Sequence, residues 1–189
     1  MRLLLIGHSY VRDLMHLGHN CFHTAGEGLE VDCIYKSGAN YNTYLNNPSL
    51  LDPADDFKPD YVIVILAGDG ITNDVSSSEL YQQATDFYSM VKDRLPEAKI
   101  IAAQPELRYY KGDNPWNAPE AEEFYYRRNA FNNFLRRCKT KDAIMQISGT
   151  GRMDCQEYYA DQVHLNNVGL NKYFDIIKDC IANYYTQDY

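Results

Sequence analysis

The sequence predicts an α/β fold built on an open parallel sheet. Short apolar, β-branched runs alternate with longer stretches of helical character, the arrangement of βαβ units. The runs are also apolar almost throughout, as strands covered on both faces must be. They are Arg2–Ile6, Val31–Tyr35, Tyr61–Leu66, Lys99–Ala103 and Ala143–Ile147, each too short for a helix, so five strands are expected. A chain of 189 residues supports one core, and no repeat stands out, so residues 1–189 read as a single domain.

Four helices are expected between and after the strands: Tyr10 to Leu17, Glu79 to Leu95, Glu120 to Cys138 and Val168 to Tyr184. Ser76 and Glu79 have the spacing of a capping box, and Pro96 ends the helix they open. In the last helix Val168, Phe174, Ile177, Cys180 and Ile181 place one apolar stripe toward a sheet, and Asn166 stands where a cap belongs. The Asn46–Pro59 stretch, with Pro48, Pro53 and Pro59, reads as a surface connection. Gln104–Pro119 reads as a long loop, more often functional than idle.

Composition narrows the class. Hydrophobic residues at 45% and charged residues at 23% describe a folded globular chain rather than a disordered or fibrous one. A net charge of −8 argues against nucleic acid and anionic membranes as partners. The apolar run Leu3-Leu4-Leu5-Ile6 stops at Gly7, far short of the ~20 residues of a spanning helix and shorter than a secretory core, so a cytoplasmic location is expected. Five cysteines (Cys21, Cys33, Cys138, Cys155, Cys180) form no CxxC and read as reduced, mostly buried thiols.

In a parallel sheet of this kind, ligands bind at the carboxyl ends of the strands. After the first strand comes Gly7-His8-Ser9-Tyr10, a turn that can present a hydroxyl while its N–H groups remain open; an ordinary serine N-cap would have the same residues. After the second comes Lys36-Ser37-Gly38-Ala39-Asn40, where glycine suits a tight turn or a close backbone approach to ligand. After the third comes Ala67-Gly68-Asp69-Gly70-Ile71-Thr72-Asn73-Asp74. Beyond the fifth, Asp161-Gln162-Val163-His164-Leu165-Asn166 lets one loop set Asp161 against a ring nitrogen of His164, leaving the other nitrogen to take a proton from Ser9. A plain surface loop is the alternative there.

Taken together the four segments resemble the SGNH (GDSL-like) hydrolase family. Gly7-His8-Ser9 looks like the serine block, with His8 where many members carry Asp; Gly38 looks like the second block, Leu66-Ala67-Gly68-Asp69 the third, and Asp161-Gln162-Val163-His164-Leu165 the last. The resemblance implies a three-layer α/β/α sandwich with a flavodoxin-like sheet, and ester hydrolysis with Ser9 as nucleophile, His164 as general base and Asp161 as its orienting carboxylate. It further implies oxyanion donors in the backbone N–H groups of Ser9 and Gly38, and neither metal nor organic cofactor.

The third block departs from the family, which places an oxyanion asparagine where this chain has Asp69. An ionised carboxylate would repel the developing charge, and losing one such donor costs about 10²–10³ in rate. Three readings follow, in this order: Asn73 substitutes from one helical turn on, the chain binds an ester without turning it over, or Asp69 stays protonated and donates its own O–H. In the Gln104–Pro119 loop Arg108, Tyr109, Tyr110 and Trp116 are candidate substrate contacts, with a lid packed on its own aromatics as the alternative.

Other clusters read as unrelated to chemistry. Gly18 and Asn20 break the helix that would align His16, His19, Cys21 and His23, so a solvated loop is expected rather than a metal site. Arg127-Arg128 and Arg136-Arg137 fall on opposite faces of one helix and read as solvated charge. The 17 tyrosines exceed what the core should use and suit sugar faces or interfaces.

The expected function is therefore hydrolysis of a small acyl, acetyl-type ester, on a small molecule or glycan, through an acyl-serine intermediate. The alternative is a catalytically weakened binding or interaction module on the same scaffold. A flavodoxin-like nucleotide binder is weaker because no glycine-rich phosphate loop follows the first strand.

Overall fold

Side-chain parity along the strands divides the protein into two cores, as a period of two requires. Leu4, Ile6, Val62, Val64, Ile100 and Ala102 enter one, and Leu3, Leu5, Ile63, Ile65, Ile101 and Ala103 the other. The computed structural model describes residues 1–17, 28–72, 75–105, 119–147, 156–161 and 163–185.

In chain order the elements are β1 (Arg2–Gly7), α1 (Ser9–His16), β2 (Glu30–Tyr35), α2 (Tyr41–Leu45), a 3₁₀ turn (Pro48–Leu51), α3 (Asp52–Phe57), β3 (Tyr61–Ile65), α4 (Ala67–Thr72) and α5 (Ser77–Arg94). They continue with β4 (Lys99–Ala103), α6 (Pro119–Arg137), β5 (Ala143–Met145), a 3₁₀ turn (Gln156–Tyr158) and α7 (Asn167–Tyr185). The strands are parallel in the order β2-β1-β3-β4-β5. Side chains of α2 to α6 cover one face, and those of α1 and α7 the other. This is the three-layer α/β/α sandwich with a five-stranded, flavodoxin-like parallel sheet that the sequence suggested. The strand order reverses between β1 and β3, the point at which open parallel sheets offer a crevice for ligands.

Strand and helix positions follow the sequence closely where elements were expected, but α2, α3 and α4 are additional to the four expected helices, and two further readings are corrected. The Asn46–Pro59 stretch is not a bare surface connection: Pro48 and Pro53 sit in the first turns of the 3₁₀ turn and α3, where a fixed φ and a missing N–H cost nothing. Leu51 and Ala54 are buried there against the core. The Arg127-Arg128 pair is not solvated charge. Arg128 is buried and donates through Nε to the Pro105 carbonyl at 2.9 Å, and Arg127 Nη2 donates to the Val75 carbonyl at 2.5 Å, so both tie α6 to neighbouring loops.

The tyrosines are divided between core and surface, with Tyr35 and Tyr126 exposed. Tyr10, Tyr41, Tyr44, Tyr61, Tyr88, Tyr159 and Tyr173 are buried, because the phenol oxygens can be satisfied inside. The Tyr41 and Tyr88 hydroxyls pair at 2.9 Å, and Tyr44 donates to the Gly7 carbonyl at 2.8 Å. Burial pushes the Tyr44 and Tyr88 phenols above their ordinary range.

Ser76 caps α5 by accepting from the Glu79 N–H at 3.2 Å, and Asn166 caps α7 by accepting from the Gly169 N–H at 3.0 Å. Cys33, Cys138 and Cys180 are free and half-buried, and desolvation pushes the Cys33 and Cys180 thiols up to about 12. Cys21 and Cys155 lie outside the described residues. Among the described residues no helix is long and apolar enough to cross a membrane.

One close contact decides where β1 ends. A Cβ on Gly7 would sit 2.8 Å from the Ile65 carbonyl oxygen and overlap the Val11 side chain. Neither neighbour can retreat without disturbing β3 or α1. Gly7→Ala is therefore expected to destabilise by ~1–3 kcal/mol, a fall in Tm of about 2–4 °C per kcal/mol for this chain length, read by thermal unfolding.

Candidate active site

Register brings the candidate residues to one rim. Gly7 is aligned with Tyr35 on β2 and with Ile65 on β3, so the three strands end level. Ser9, Gly38 and Asp69 follow from those three ends. The backbone of Asp69 lies in α4, but its side chain is outside the description, as are Asn73, Arg108, Tyr109, Tyr110 and Trp116. His19, Cys21 and His23 lie outside it as well, while His16 lines a cavity of about 390 Å³ with Asp13, Leu17, Leu165, Asn167 and Leu170. Among the described residues no group of three or more His, Cys, Asp and Glu side chains converges as a metal site would require.

Ser9 is the first residue of α1, and it is not the cap. His8 takes that position, its Nδ1 accepting from the Tyr10 N–H at 3.4 Å, so the Ser9 hydroxyl is not spent on the helix start. The same Nδ1 lies 3.5 Å from Ser9 Oγ, and acceptance at Nδ1 leaves the ring proton on Nε2. Sequence reasoning treated His8 as a departure from the family and overlooked this role. The available signal was that a capping position needs an acceptor, and an imidazole nitrogen supplies one.

Two backbone N–H groups in the turns after β1 and β2 are left without an acceptor among the described residues. Neither the Ser9 N–H nor the Gly38 N–H donates to another described residue. Gly38 has φ +69°, a left-handed conformation that favours glycine and turns the loop after β2. Arg12 on α1 supports that loop by donating through Nη1 to Ser37 Oγ at 2.9 Å.

The last block is a closed loop. Ala160 N–H donates to the His164 carbonyl at 2.8 Å, and Tyr159 and Leu165 pair as an antiparallel bridge, so the chain from Asp161 to His164 is pinched at its neck. Within it Asp161 Oδ1 accepts from the backbone N–H groups of Val163 and His164, both at 2.6 Å. Asp161 Oδ2 accepts from His164 Nδ1 at 2.8 Å. That bond keeps the ring proton on Nδ1 and leaves Nε2 with a lone pair, the tautomer a general base needs.

Both side chains of the pair are partly exposed, 57% for Asp161 and 43% for His164. Partial burial pushes the Asp161 carboxyl up, but the His164 N–H, the His164 ring and the Val163 N–H outweigh it and hold the group down at about 2.

The structure thus brings Asp161 and His164 into direct contact and sets Ser9 against His8. The Tyr10 hydroxyl donates to the Val163 carbonyl at 2.6 Å and links the serine turn to the histidine loop. No hydrogen bond joins Ser9 to His164 in this state, so proton transfer between them requires a shift of the serine rotamer or the loop.

No protein-family model matches the chain, and no curated protein does. Solved structures do match. An acetyl xylan esterase is 12% identical with a TM-score of 0.75, over 96% of this chain and 100% of the other. A protein from Slackia heliotrinireducens, provisionally named an SGNH hydrolase, is 18% identical with a TM-score of 0.72, over 95% and 97%. A GDSL-like lipase from Bacteroides thetaiotaomicron is 13% identical with a TM-score of 0.67, over 100% and 89%. The chain has the SGNH hydrolase fold.

The Asp161 carboxyl supplies a direct test of the pair. Its folded value lies below the ~3.9 of an unfolded aspartate, so its stabilisation is complete above about pH 4 and lost as pH falls toward about 2. A carboxyl-carbon NMR titration should show a midpoint near 2 in the wild type. His164→Ala should move that midpoint up, because the ring contact goes while the backbone contacts stay.

Proposed function

We propose that the protein is a serine esterase acting on small acyl esters of the acetyl type, carried by a small molecule or a glycan. The observation that carries this reading is the Asp161–His164 pair, bonded at 2.8 Å with Nε2 left free, on a loop tied to the helix start that presents Ser9. The fold supports it, since neighbours of the same architecture include an acetyl xylan esterase and a peptidoglycan O-acetylesterase.

The chemistry follows from the groups present. Ser9 Oγ attacks the ester carbonyl carbon while His164 Nε2 takes the hydroxyl proton, and Asp161 stabilises the imidazolium. The Ser9 and Gly38 N–H groups face the oxyanion. Collapse breaks the bond to the alcohol, which leaves with the proton from His164. A water activated by the same nitrogen then attacks the acyl-serine, releasing the acid and restoring Ser9. Asn73, four residues beyond Asp69 in the sequence, is the proposed third oxyanion donor.

A second reading, a binding module with weakened catalysis, draws on Asp69 and on the missing Ser9–His164 bond. Covalent labelling separates the two: an esterase is expected to react with a fluorophosphonate probe at Ser9, and an inert Ser9 would favour the binding module.

Hydrolysis of p-nitrophenyl acetate should disappear in Ser9→Ala; equal rates in wild type and variant would remove the esterase. Asn73→Ala should cost about 10²–10³ in kcat, and a near-wild-type rate would exclude it as a donor.

Asp161→Asn should cost ~10⁴ in kcat. The new amide can keep its oxygen on the two backbone N–H groups only by turning its NH₂ toward His164, which reverses the tautomer. A wild-type rate in that variant would show that Asp161 does not set the protonation of His164.

A further inference from the structure

The peptide unit between Val163 and His164 is gripped at both ends. Its N–H, on the His164 side, donates to Asp161 Oδ1 at 2.6 Å. Its carbonyl, on the Val163 side, accepts from the Tyr10 hydroxyl at 2.6 Å. A planar group held at two opposite points cannot rotate about the chain axis, so the direction in which the His164 side chain departs is set as well.

Tyr10 is the residue directly after Ser9. We propose that Tyr10 is a positioning residue, a strut from the serine turn whose hydroxyl sets the placement of the His164 ring relative to Ser9. The proposal rests on the esterase reading.

The strut is rigid for identifiable reasons. The Tyr10 ring is 3% exposed and meets Tyr173 of α7 edge-on, with centroids 5.7 Å apart, and His8 edge-on at 5.4 Å. Its Cα belongs to the first turn of α1, beside the nucleophile. A stiff ring with both ends fixed makes the distance from the serine turn to the histidine loop a property of one side chain. The two bonds on the peptide also polarise each other, since donation to the carbonyl makes the N–H a better donor to Asp161.

Because the Tyr10 proton stays on its own oxygen, the strut takes no part in proton transfer. Its effect is on the alignment of the groups that do, and misplacement by about 1 Å can cost on the order of 10² in rate.

The test compares wild type, Tyr10→Phe, Tyr88→Phe, Ser9→Ala, His164→Ala and the double variant Tyr10→Phe/His164→Ala. The readouts are p-nitrophenyl acetate kinetics, the rate of Ser9 labelling by a fluorophosphonate, and amide exchange at Ala160. Tyr88→Phe controls for loss of a buried phenol bond that does not touch the histidine loop.

Tyr10→Phe is expected to lower kcat by about 10–100-fold with KM within about 2-fold of wild type, while Tyr88→Phe keeps its kcat. Ala160 exchange should quicken in Tyr10→Phe, since that N–H bonds the His164 carbonyl. In the His164→Ala background Tyr10→Phe should change neither hydrolysis nor labelling, because the strut acts through the imidazole.

A wild-type kcat in Tyr10→Phe overturns the strut. So does an equal fold-loss with and without His164, which marks a general structural role. If Ser9→Ala hydrolyses the ester as fast as wild type, the esterase reading falls and the strut's catalytic role falls with it. That result is distinct from a Ser9-dependent enzyme indifferent to Tyr10→Phe.

Discussion

The close approach of Gly7 to β3 is the contact on which the rest of the site depends. The Gly7 carbonyl accepts from the Lys36 N–H on the β2 side and from the buried Tyr44 hydroxyl, while its Cα lies against the Ile65 carbonyl and Val11. With β1 held on both edges and both faces, the chain has one way out of the sheet. His8 and Ser9 follow immediately, so the packing of a glycine fixes where the backbone that carries them leaves the sheet. The strand order reverses beside β1, so that exit lies at the switch point of the sheet.

The electrostatics at the rim are divided between two imidazoles. His8 is buried and accepts at Nδ1, so it serves the helix start. His164 donates at Nδ1 to a carboxylate held at about 2 and leaves Nε2 available. The difference lies in what each Nδ1 meets, a backbone donor in one case and an acceptor in the other. Three contacts hold the Asp161 carboxyl below its ordinary range, so the ring of His164 rests against a carboxylate.

Much of the fold was legible because its signals are local. Strands buried on both faces need continuous apolar runs, and Lys99–Ala103 was placed to the residue. Capping residues such as Ser76 and Asn166 act within three positions of themselves. The Asp161 to His164 contact was legible for the same reason, as both ends belong to one short loop. Pro48 and Pro53 misled because proline suits a helix's first turn as well as a loop, and nothing nearby in sequence separates the two. Arg128 misled because burial of a polar side chain depends on a partner from another segment, here the Pro105 carbonyl.

By itself the sequence determined the α/β class, the five strands, the caps of α5 and α7 and the Asp161–His164 contact, since periodicity and capping are encoded over a few neighbours. The tertiary structure alone decided which side chain capped α1, which tyrosines were buried, and that a phenol at position 10 would meet a carbonyl at position 163. Those outcomes depend on distances between segments far apart in the chain. Such distances are set only when strands take their register and helices pack across the sheet.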